Sequence, residues 1–563
     1  GVLGHAPFHF WPAFMVSVCG LFLLLDGASL RDKRARAGFG IAWSWGFGYF
    51  LAGMFWVGNA FLVDAEKFAL LMPFAVSALP AGLGLFWGLG GAVYARFSRG
   101  DASRLLLFVL VFTLADFARG HVLTGLPWNL PAYIWKPGGI VSQSAALVGP
   151  YGLSLLTLWV LAAPAVLFSP IDVHGQRRWS FLLPRPTGEL SAKLTEGVFA
   201  ESVAPSERFA PTSPAVAGED KVHSQAPSAP ALFVAASVAI ICAAVATYGG
   251  LRLHQAGPVA AMAGKGPIIA TGQAGFSQKE VWAPENTARV TQTYLDLLNR
   301  PEAKSADLIV WPEGAFPYLL LEEPDVLDAI GARLGGRTLL VGAVRRKGAT
   351  KPDIYRNSLL AFANGPDGLV LEAAYDKFHL VPFGEYLPLR AAFQALGIAS
   401  LVSYDGEMTP GPAPSLMRLT GLPNADPRIC YEIVFPAFNP KATGQAGFIL
   451  NVSVDAWYGD ALGPDQHYAQ ARARAIETGM PLVRAASGGW SAVVDRYGRP
   501  LTQHRFGAGY GIARLPLNAH PTLYARFGDK ILVSIVAFLF VFMLIWRKRS
   551  VDFTRQVVDE TKK

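Results

Sequence analysis

The stretch that decides the fold of the soluble part is Leu308-Ile309-Val310-Trp311-Pro312-Glu313. Its short apolar run predicts a buried strand, and Pro312 ends regular pairing because it has no backbone N–H to donate. Glu313 is therefore predicted to stand at the C-terminal edge of this strand, where α/β sheets bind ligands. A solvated loop glutamate is the alternative interpretation.

The region 251–521 around this strand alternates short apolar runs with amphipathic stretches. Runs rich in β-branched residues predict strands at 308–311, 338–344, 358–362, 448–453 and 482–485. Helical spacing of apolar residues predicts helices at 284–299, 324–334 and 466–478, with Gly479 as the stop of the last one. Strands that alternate with helices indicate a layered α/β domain.

The rest of the chain is far more apolar. Of 563 residues, 52% are hydrophobic and 16% are charged, against about 25% charged in ordinary soluble domains. This excludes a disordered chain, a collagen and a coiled coil, and it argues against a single soluble enzyme. A bilayer core takes about 20 apolar residues per helix, so membrane spans are predicted at 11–25, 38–63, 68–95, 105–117 (extendable to about 122), 151–168, 231–248 and 531–546.

Basic residues between these spans predict their orientation. They cluster at 31–36, 96–104, 177–178 and 547–549, and such loops are cytoplasmic by the positive-inside rule. The net charge of +8 and the pI near 9.3 therefore indicate topology, and no nucleic-acid partner is expected. With the C-terminus inside, seven spans place Gly1 outside, and we expect one further helix to precede it.

The predicted organisation has five parts. Transmembrane helices fill 1–169, and a further one occupies 231–250. Between them, 170–230 carries 8 prolines in 61 residues and is predicted to be a disordered cytoplasmic linker. The α/β domain at 251–521 lies outside the cytoplasm, and 522–563 holds the last helix and a basic cytoplasmic tail.

Cys430 is the cysteine of the α/β domain, because Cys19 and Cys242 fall within apolar runs. Three cysteines are too few for a disulfide framework. Free thiols are prone to oxidation in an oxidising compartment, so the presence of Cys430 requires an explanation. A catalytic role is one explanation, and an inert core cysteine is the alternative.

The segment from Tyr375 to Pro388 embeds Lys377 and Glu385 among apolar and aromatic residues. Unpaired buried ions are costly, so these two side chains are expected to pair with each other or with a ligand; an ordinary surface ion pair is the alternative. A thiol, a carboxylate and an amine together favour acyl transfer through a thiolate, because cysteine needs a base to become a nucleophile. His379 and His467 are expected to be structural.

These segments resemble the carbon–nitrogen hydrolase (nitrilase) superfamily, and together with the membrane half they resemble the apolipoprotein N-acyltransferase family. The resemblance rests on Trp-Pro-Glu at 311–313, Lys-Phe-His-Leu-Val-Pro-Phe-Gly-Glu at 377–385 and Cys-Tyr-Glu at 430–432. Further matches are Asp-Ala-Trp-Tyr-Gly at 455–459, 463–467, 472–475 and Gly-Leu-Pro-Trp at 125–128.

The resemblance implies an αββα sandwich on a transmembrane bundle that normally has eight helices. It implies Glu313 as general base, Lys377 as oxyanion residue and Cys430 as nucleophile. Its supporting residues would be Glu385, Tyr431 and Glu432, with Trp282 on an arm over the entrance.

The implied reaction moves an acyl chain from a membrane phospholipid, through a thioester, to the α-amine of a diacylglyceryl-cysteine apolipoprotein. No cofactor or metal is implied, and a monomer in the bacterial inner membrane is expected, with its catalytic domain facing the periplasm.

Some features depart from the family pattern or leave alternatives open. Gly314 follows Glu313 where the family often has Thr or Ser, and 451–455 and 486–489 lack usual asparagines; these put only fine substrate preference in doubt.

One alternative function is a membrane-tethered amidase with water as acceptor. Another is a transporter or scaffold, for which Asp116 is the best intramembrane ionisable residue. Aromatics such as Trp56, Trp128 and Trp135 suit an interfacial belt or an acyl path.

Overall fold

A computed structural model gives the fold for residues 1–63, 65–99, 103–168, 229–259, 266–347, 354–395, 408–505 and 507–561. The predicted linker at 170–230 falls outside these residues apart from 229–230, so it stays a prediction.

Long helices occur at all seven predicted spans. Five of them are long and apolar enough to cross a membrane by length and composition. The two others are α2 Arg34–Met54, which is less apolar, and α5 Ser103–His121, which contains the charged residues Arg104, Asp116 and Arg119. The helices of this half are α1 Trp11–Ser29, α2 Arg34–Met54, α3 Ala65–Phe68, α4 Met72–Phe97, α5 Ser103–His121, α6 Ala145–Ala162, α7 Ala165–Phe168 and α8 Ala229–Ala256.

The predicted span 38–63 is wrong at its end. Helix α2 stops at Met54, and the chain continues as the 3-10 helix Phe55–Leu62. Just after the break, Trp56 Nε1 donates to Gly53 O and to Gln466 Oε1 of the α/β domain, both at 3.1 Å. The end of this run therefore belongs to the contact between the two halves.

Two sheets form the α/β domain, as predicted. The strands are β1 Ile268–Gln273, β2 Leu308–Val310, β3 Thr338–Lys347, β4 Ile354–Gly365, β5 Gly368–Asp376, β6 Ala425–Ile429, β7 Phe448–Val454, β8 Leu482–Ser487, β9 Ser491–Val494, β10 Pro500–His504 and β11 Gly509–Arg514. One sheet has six strands in the order β11-β1-β2-β3-β4-β5, and the other has five in the order β10-β9-β8-β7-β6. Strands β1, β2 and β3 are parallel, as are β6, β7 and β8.

The remaining helices cover these sheets or return to the membrane half. They are α9 Gln278–Trp282, α10 Thr287–Leu297, α11 Pro301–Lys304, α12 Pro324–Leu334, α13 Arg390–Ala395, α14 Gly463–Thr478, α15 Leu523–Phe527 and α16 Lys530–Thr561. Helix α14 ends at Gly479 in the left-handed conformation, with φ 74°, as its sequence predicts.

The layers confirm the predicted αββα sandwich. One core lies between the sheets, where Val310 and Leu340 face Leu450 and Val452. A second core packs α10 and α12 on the outer face of the six-stranded sheet. A third is continuous from the five-stranded sheet through α14 to the membrane helices, so the two halves share one core.

The α/β domain contacts one end of the helical bundle. Trp128 Nε1 donates to Gln466 Oε1 at 2.7 Å, and Asn59 Nδ2 donates to Tyr458 O at 2.6 Å. Tyr431 OH donates to Gly125 O at 2.6 Å. These membrane-half residues follow α2 and α5, so the catalytic edge rests on the loops at that end.

The basic residues near Arg104 and Arg547 lie at the other end of the bundle. There Asp26 of α1 pairs with Arg104 of α5 at 3.2 Å and accepts a hydrogen bond from Tyr94. Arg547 of α16 donates to Ser103 Oγ at 2.8 Å. Four helices are thereby joined at the end remote from the α/β domain.

Candidate active site

Strand ends place the three predicted reactive residues. Glu313 lies three positions after β2, Lys377 follows the last residue of β5, and Cys430 follows the last residue of β6. Because β2 and β6 belong to facing sheets, their C-terminal edges bring the carboxylate and the thiol to the same side of the sandwich. Cys430 has φ +49°, a conformation that costs a non-glycine residue about 1–3 kcal/mol.

Two carboxylates share one ammonium and one amide. Lys377 Nζ lies 3.2 Å from Glu313 Oε1 and 3.0 Å from Glu385 Oε1. Asn357 Nδ2 donates to the same two oxygens, at 2.6 and 2.8 Å. The structure thus joins the predicted Lys377–Glu385 pair to Glu313, which the sequence did not specify.

Backbone N–H groups orient the outer oxygens of both carboxylates. Val454 N donates to Glu313 Oε2 at 3.1 Å, and Val381 N donates to Glu385 Oε2 at 2.8 Å. Lys377 is 1% exposed. Its burial alone would lower its pKa, but the charges of Glu313 and Glu385 raise that pKa above its ordinary value. The buried amine is therefore an ammonium.

The thiol of Cys430 is buried beside this cluster. Burial is the main reason that its pKa rises to about 12; the Glu313 carboxylate raises it further, and the Lys377 ammonium opposes the rise. A thiol with such a pKa is protonated at neutral pH, so it needs a base at the moment of attack.

Glu432 connects the segments that carry Lys377 and Cys430. Its Oε1 accepts from Phe378 N at 2.7 Å and from His379 N at 3.0 Å. Tyr375 OH donates to the same oxygen at 2.9 Å, and Ile429 N donates to Oε2 at 2.7 Å. Glu432 therefore fixes the nucleophile loop against the lysine loop.

A second buried cluster supports the backbone of Cys430. His467 Nε2 lies 3.3 Å from Cys430 O, and its Nδ1 lies 2.8 Å from Asp455 Oδ1. Arg484 Nη2 donates to Asp455 Oδ2 at 2.6 Å. Burial holds the pKa of His467 below its ordinary value. This histidine bonds the carbonyl of the nucleophile.

Sequence reasoning missed Asn357 and the role of His467. Asn357 lies in β4 one residue before the predicted strand, and nothing in its neighbours distinguishes it from any polar strand residue. His467 lies in a quoted motif, but only the packing of α14 shows its contact. Trp282 is 47% exposed at the end of α9, and no hydrogen bond within the described residues ties it to the cluster.

Among the described residues, no group of three or more His, Cys, Asp and Glu side chains is placed to hold a metal ion.

Both halves of the chain match models of known protein families. The family model described as the apolipoprotein N-acyltransferase N-terminal domain matches residues 1–163, and the carbon-nitrogen hydrolase model matches 268–520. An apolipoprotein N-acyltransferase of Rhodopseudomonas palustris is 34% identical over 560 residues, which cover 97% of this chain and 93% of that protein. The chain belongs to the apolipoprotein N-acyltransferase family. The predicted resemblance is thereby confirmed.

A second relative supports the same family membership. The apolipoprotein N-acyltransferase of Caulobacter vibrioides is 35% identical over 546 residues, covering 95% of this chain and 90% of its own. Among solved structures, Saccharomyces cerevisiae Nit3, a member of branch 10 of the nitrilase superfamily, aligns with 17% identity and a TM-score of 0.33, covering 44% of this chain and 89% of that one.

Proposed function

We propose that this enzyme transfers an acyl chain from a membrane phospholipid, through a thioester on Cys430, to the α-amine of a diacylglyceryl-cysteine apolipoprotein. Family membership supports the reaction class. The observation that carries the residue assignment is the buried cluster at the strand ends, where Lys377 Nζ lies 3.2 Å from Glu313 Oε1 and the buried Cys430 follows the last residue of β6.

In the first step, Glu313 takes the proton of Cys430 as the sulfur attacks the ester carbonyl carbon of the phospholipid. A C–S bond forms, and the carbonyl oxygen becomes an oxyanion. When the ester C–O bond breaks, the leaving alkoxide takes the proton from Glu313. The products are a lysophospholipid and an acyl thioester.

The oxyanion has two proposed donors. The Lys377 ammonium is held in place by its bonds to Glu313 and Glu385. The backbone N–H of Tyr431 lies in the first turn of the 3-10 helix Cys430–Val434, where N–H groups have no acceptor within the helix. Such pre-oriented donors stabilise the tetrahedral intermediate more than they stabilise the ground state.

In the second step, the acceptor α-amine attacks the thioester carbon. Glu313 takes a proton from this amine and returns it to the sulfur as the C–S bond breaks. Asn357, Glu385, Glu432 and His467 act as positioning residues in both steps, because they hold the reacting groups and do not exchange protons with the substrates.

The proposed location is the bacterial inner membrane, with the α/β domain in the periplasm. The α/β domain rests on the bundle end formed after α2 and α5, whereas the basic residues near Arg104 and Arg547 lie at the other end. By the positive-inside rule, the latter end is cytoplasmic. We propose a monomer, since one chain supplies every group of the cluster. The predicted domain bounds and the entrance role of Trp282 stay part of this proposal.

The test uses the purified full chain in detergent, with a phospholipid donor and a synthetic diacylglyceryl-cysteine peptide. Acylation of the peptide, lost in the Cys430→Ser variant, is the expected result. Free fatty acid without acylated peptide would indicate an amidase-like hydrolase instead. Transfer that persists in Cys430→Ser would contradict the assignment of the nucleophile.

A further inference from the structure

A cluster of four arginines surrounds Tyr497 on the α/β domain, and the catalytic proposal does not use it. The guanidinium carbons of Arg496, Arg252 and Arg499 lie 4.9, 5.4 and 5.4 Å from the centre of the Tyr497 ring. Arg472 joins them through the neighbouring backbone, since its Nε donates to Gly498 O at 2.9 Å. These four residues are called the arginine cluster below.

The arginine cluster has more positive charge than its surroundings balance. Within the described part of the chain, Asp495 is the one acid in an ion pair with it, through Arg499 Nε at 2.7 Å. Backbone carbonyls accept other N–H groups: Pro137 O from Arg472 and Gly257 O from Arg499. Two buried N–H groups, Arg496 Nε and Arg499 Nη2, find no acceptor among the residues that the structure describes. Buried donors and unbalanced cations favour an anion with several oxygen atoms.

The cluster lies where the membrane helices meet the α/β domain. Arg252 belongs to the last turns of α8, which ends at Ala256 and is apolar enough to span a membrane. Arg472 reaches the loop that precedes α6 through its 2.5 Å bond to Pro137 O. In that loop Trp135 packs on Trp11 at 6.2 Å between ring centres, and tryptophans favour the headgroup level of a bilayer.

Sheet topology separates the cluster from Cys430. Val494, which precedes the arginine-bearing turn, pairs with Leu482 at the start of β8. Cys430 follows the end of β6, which runs parallel to β7 and β8. The cluster and the thiol therefore lie at opposite edges of the five-stranded sheet, about 20 Å apart for a strand of six residues.

We propose that the arginine cluster binds the phosphodiester of an anionic phospholipid at the outer surface of the membrane, at a site distinct from the acyl-donor site. Guanidinium groups bind phosphate oxygens in pairs, and the half-buried side chains of Arg496 and Arg499 bring positive charge to the surface of the cluster. The position beside α8 favours a lipid headgroup over a soluble anion. Such a lipid would hold the α/β domain against the membrane surface.

The test measures lipid retention and thermal stability of the full chain in detergent. Native mass spectrometry follows added dioleoyl-phosphatidylglycerol, with dioleoyl-phosphatidylcholine and inorganic phosphate as separate arms. The wild type is expected to retain phosphatidylglycerol preferentially and to gain thermal stability from it. Arg496→Gln is expected to weaken retention about tenfold, the factor given by about 1.4 kcal/mol. Arg526→Gln, which changes an exposed arginine near the same boundary, should retain lipid like the wild type.

Arg252→Gln is the second variant, because it changes a side chain on the membrane helix instead of the α/β turn; each variant is compared with its own stability without lipid. Equal retention of the two lipids by the wild type would overturn the proposal, as would equal losses in Arg496→Gln and Arg526→Gln. An equal, arginine-dependent shift with inorganic phosphate alone would overturn the assignment to lipid. A matching rise in the KM of the acyl donor in Arg496→Gln would overturn the separation from the donor site.

Discussion

His467 provides the sharpest test of how the fold holds the nucleophile. Burial keeps the ring neutral, with one N–H; the tautomer protonated at Nε2 donates to Cys430 O at 3.3 Å, and its Nδ1, 2.8 Å from Asp455 Oδ1, accepts from Arg484 Nη2 at 3.2 Å. Two substitutions separate these contacts. Glutamine can place an amide nitrogen near the position of Nε2, so His467→Gln keeps the donor to Cys430 O. Asparagine places its amide near Nδ1, so His467→Asn keeps only the contact with Asp455.

The expected magnitudes follow from the bond and from the backbone that it holds. A neutral hydrogen bond contributes about 0.5–1.5 kcal/mol net, and the left-handed conformation of Cys430 costs about 1–3 kcal/mol that the surroundings must offset. Losing the anchor lets Cys430 relax away from Glu313. We expect His467→Asn to acylate about tenfold more slowly than the wild type, equivalent to about 1.4 kcal/mol, and His467→Gln to stay within about threefold.

The assay is single-turnover release of lysophospholipid, with thermal unfolding measured in the same detergent. Both variants lose the ring that packs against Trp128 and Tyr458 at 5.6 Å, so their stabilities should fall by similar amounts. The rate difference between them then reports which of the two contacts the reaction needs, the bond to Cys430 O or the contact with Asp455. Equal acylation rates at equal stability would refute this reasoning.

Three further outcomes are expected. Alkylation of Cys430 by iodoacetamide should rise with pH through pH 9 without a plateau, because burial raises the thiol pKa to about 12; a plateau near pH 8 would contradict this. Glu313→Gln should speed alkylation of Cys430 at fixed pH, since that carboxylate raises the thiol pKa, yet it should abolish acyl transfer. Lys377→Met should slow both alkylation and acyl transfer, because the ammonium lowers the thiol pKa. Faster alkylation in Lys377→Met than in Glu313→Gln would refute these assigned charge effects. Glu385→Gln should slow acyl transfer about tenfold or more. The substitution removes one charged partner of Lys377, and its amide N–H would face the N–H of Val381; a hydrogen bond to a charged group contributes about 1.5–3 kcal/mol. A variant that transfers acyl chains at the wild-type rate would contradict this expectation.

The sequence predicts much of this architecture because strong periodic signals coincide with its elements. The helix at 324–334 matches α12, and the strand at 448–453 lies within β7. Strand β6 is not among the predicted strands, because Asp426, Pro427 and Arg428 interrupt its apolar pattern; only its end at Arg428-Ile429-Cys430 reads as a strand in the sequence. Its charges are satisfied inside the fold, where Arg428 donates to Asp426 at 2.8 Å and Asn439 donates to the other carboxylate oxygen.

Some residues of the candidate site are also predictable from the sequence, and others are not. Glu313 stands out in sequence because it follows an apolar strand, Lys377 because it is an ion embedded among apolar and aromatic residues, and Cys430 because it is the cysteine of the α/β domain. Asn357 does not, because an amide in a strand acquires its role only when the loop carrying Glu385 folds over it. The burial of Asp116 was also beyond the sequence: it is 0% exposed and bonds Trp87 and Arg119. That partnership favours a structural role over the transport that an intramembrane acid could indicate.

The central claim is that Cys430 carries the acyl chain. Mass spectrometry of the purified full chain after incubation with one phospholipid, without acceptor peptide, tests it directly. A single acyl mass on the peptide that contains Cys430, removed by neutral hydroxylamine or by the acceptor peptide, is the predicted result. An unmodified Cys430 under conditions in which the acceptor peptide becomes acylated would contradict the account.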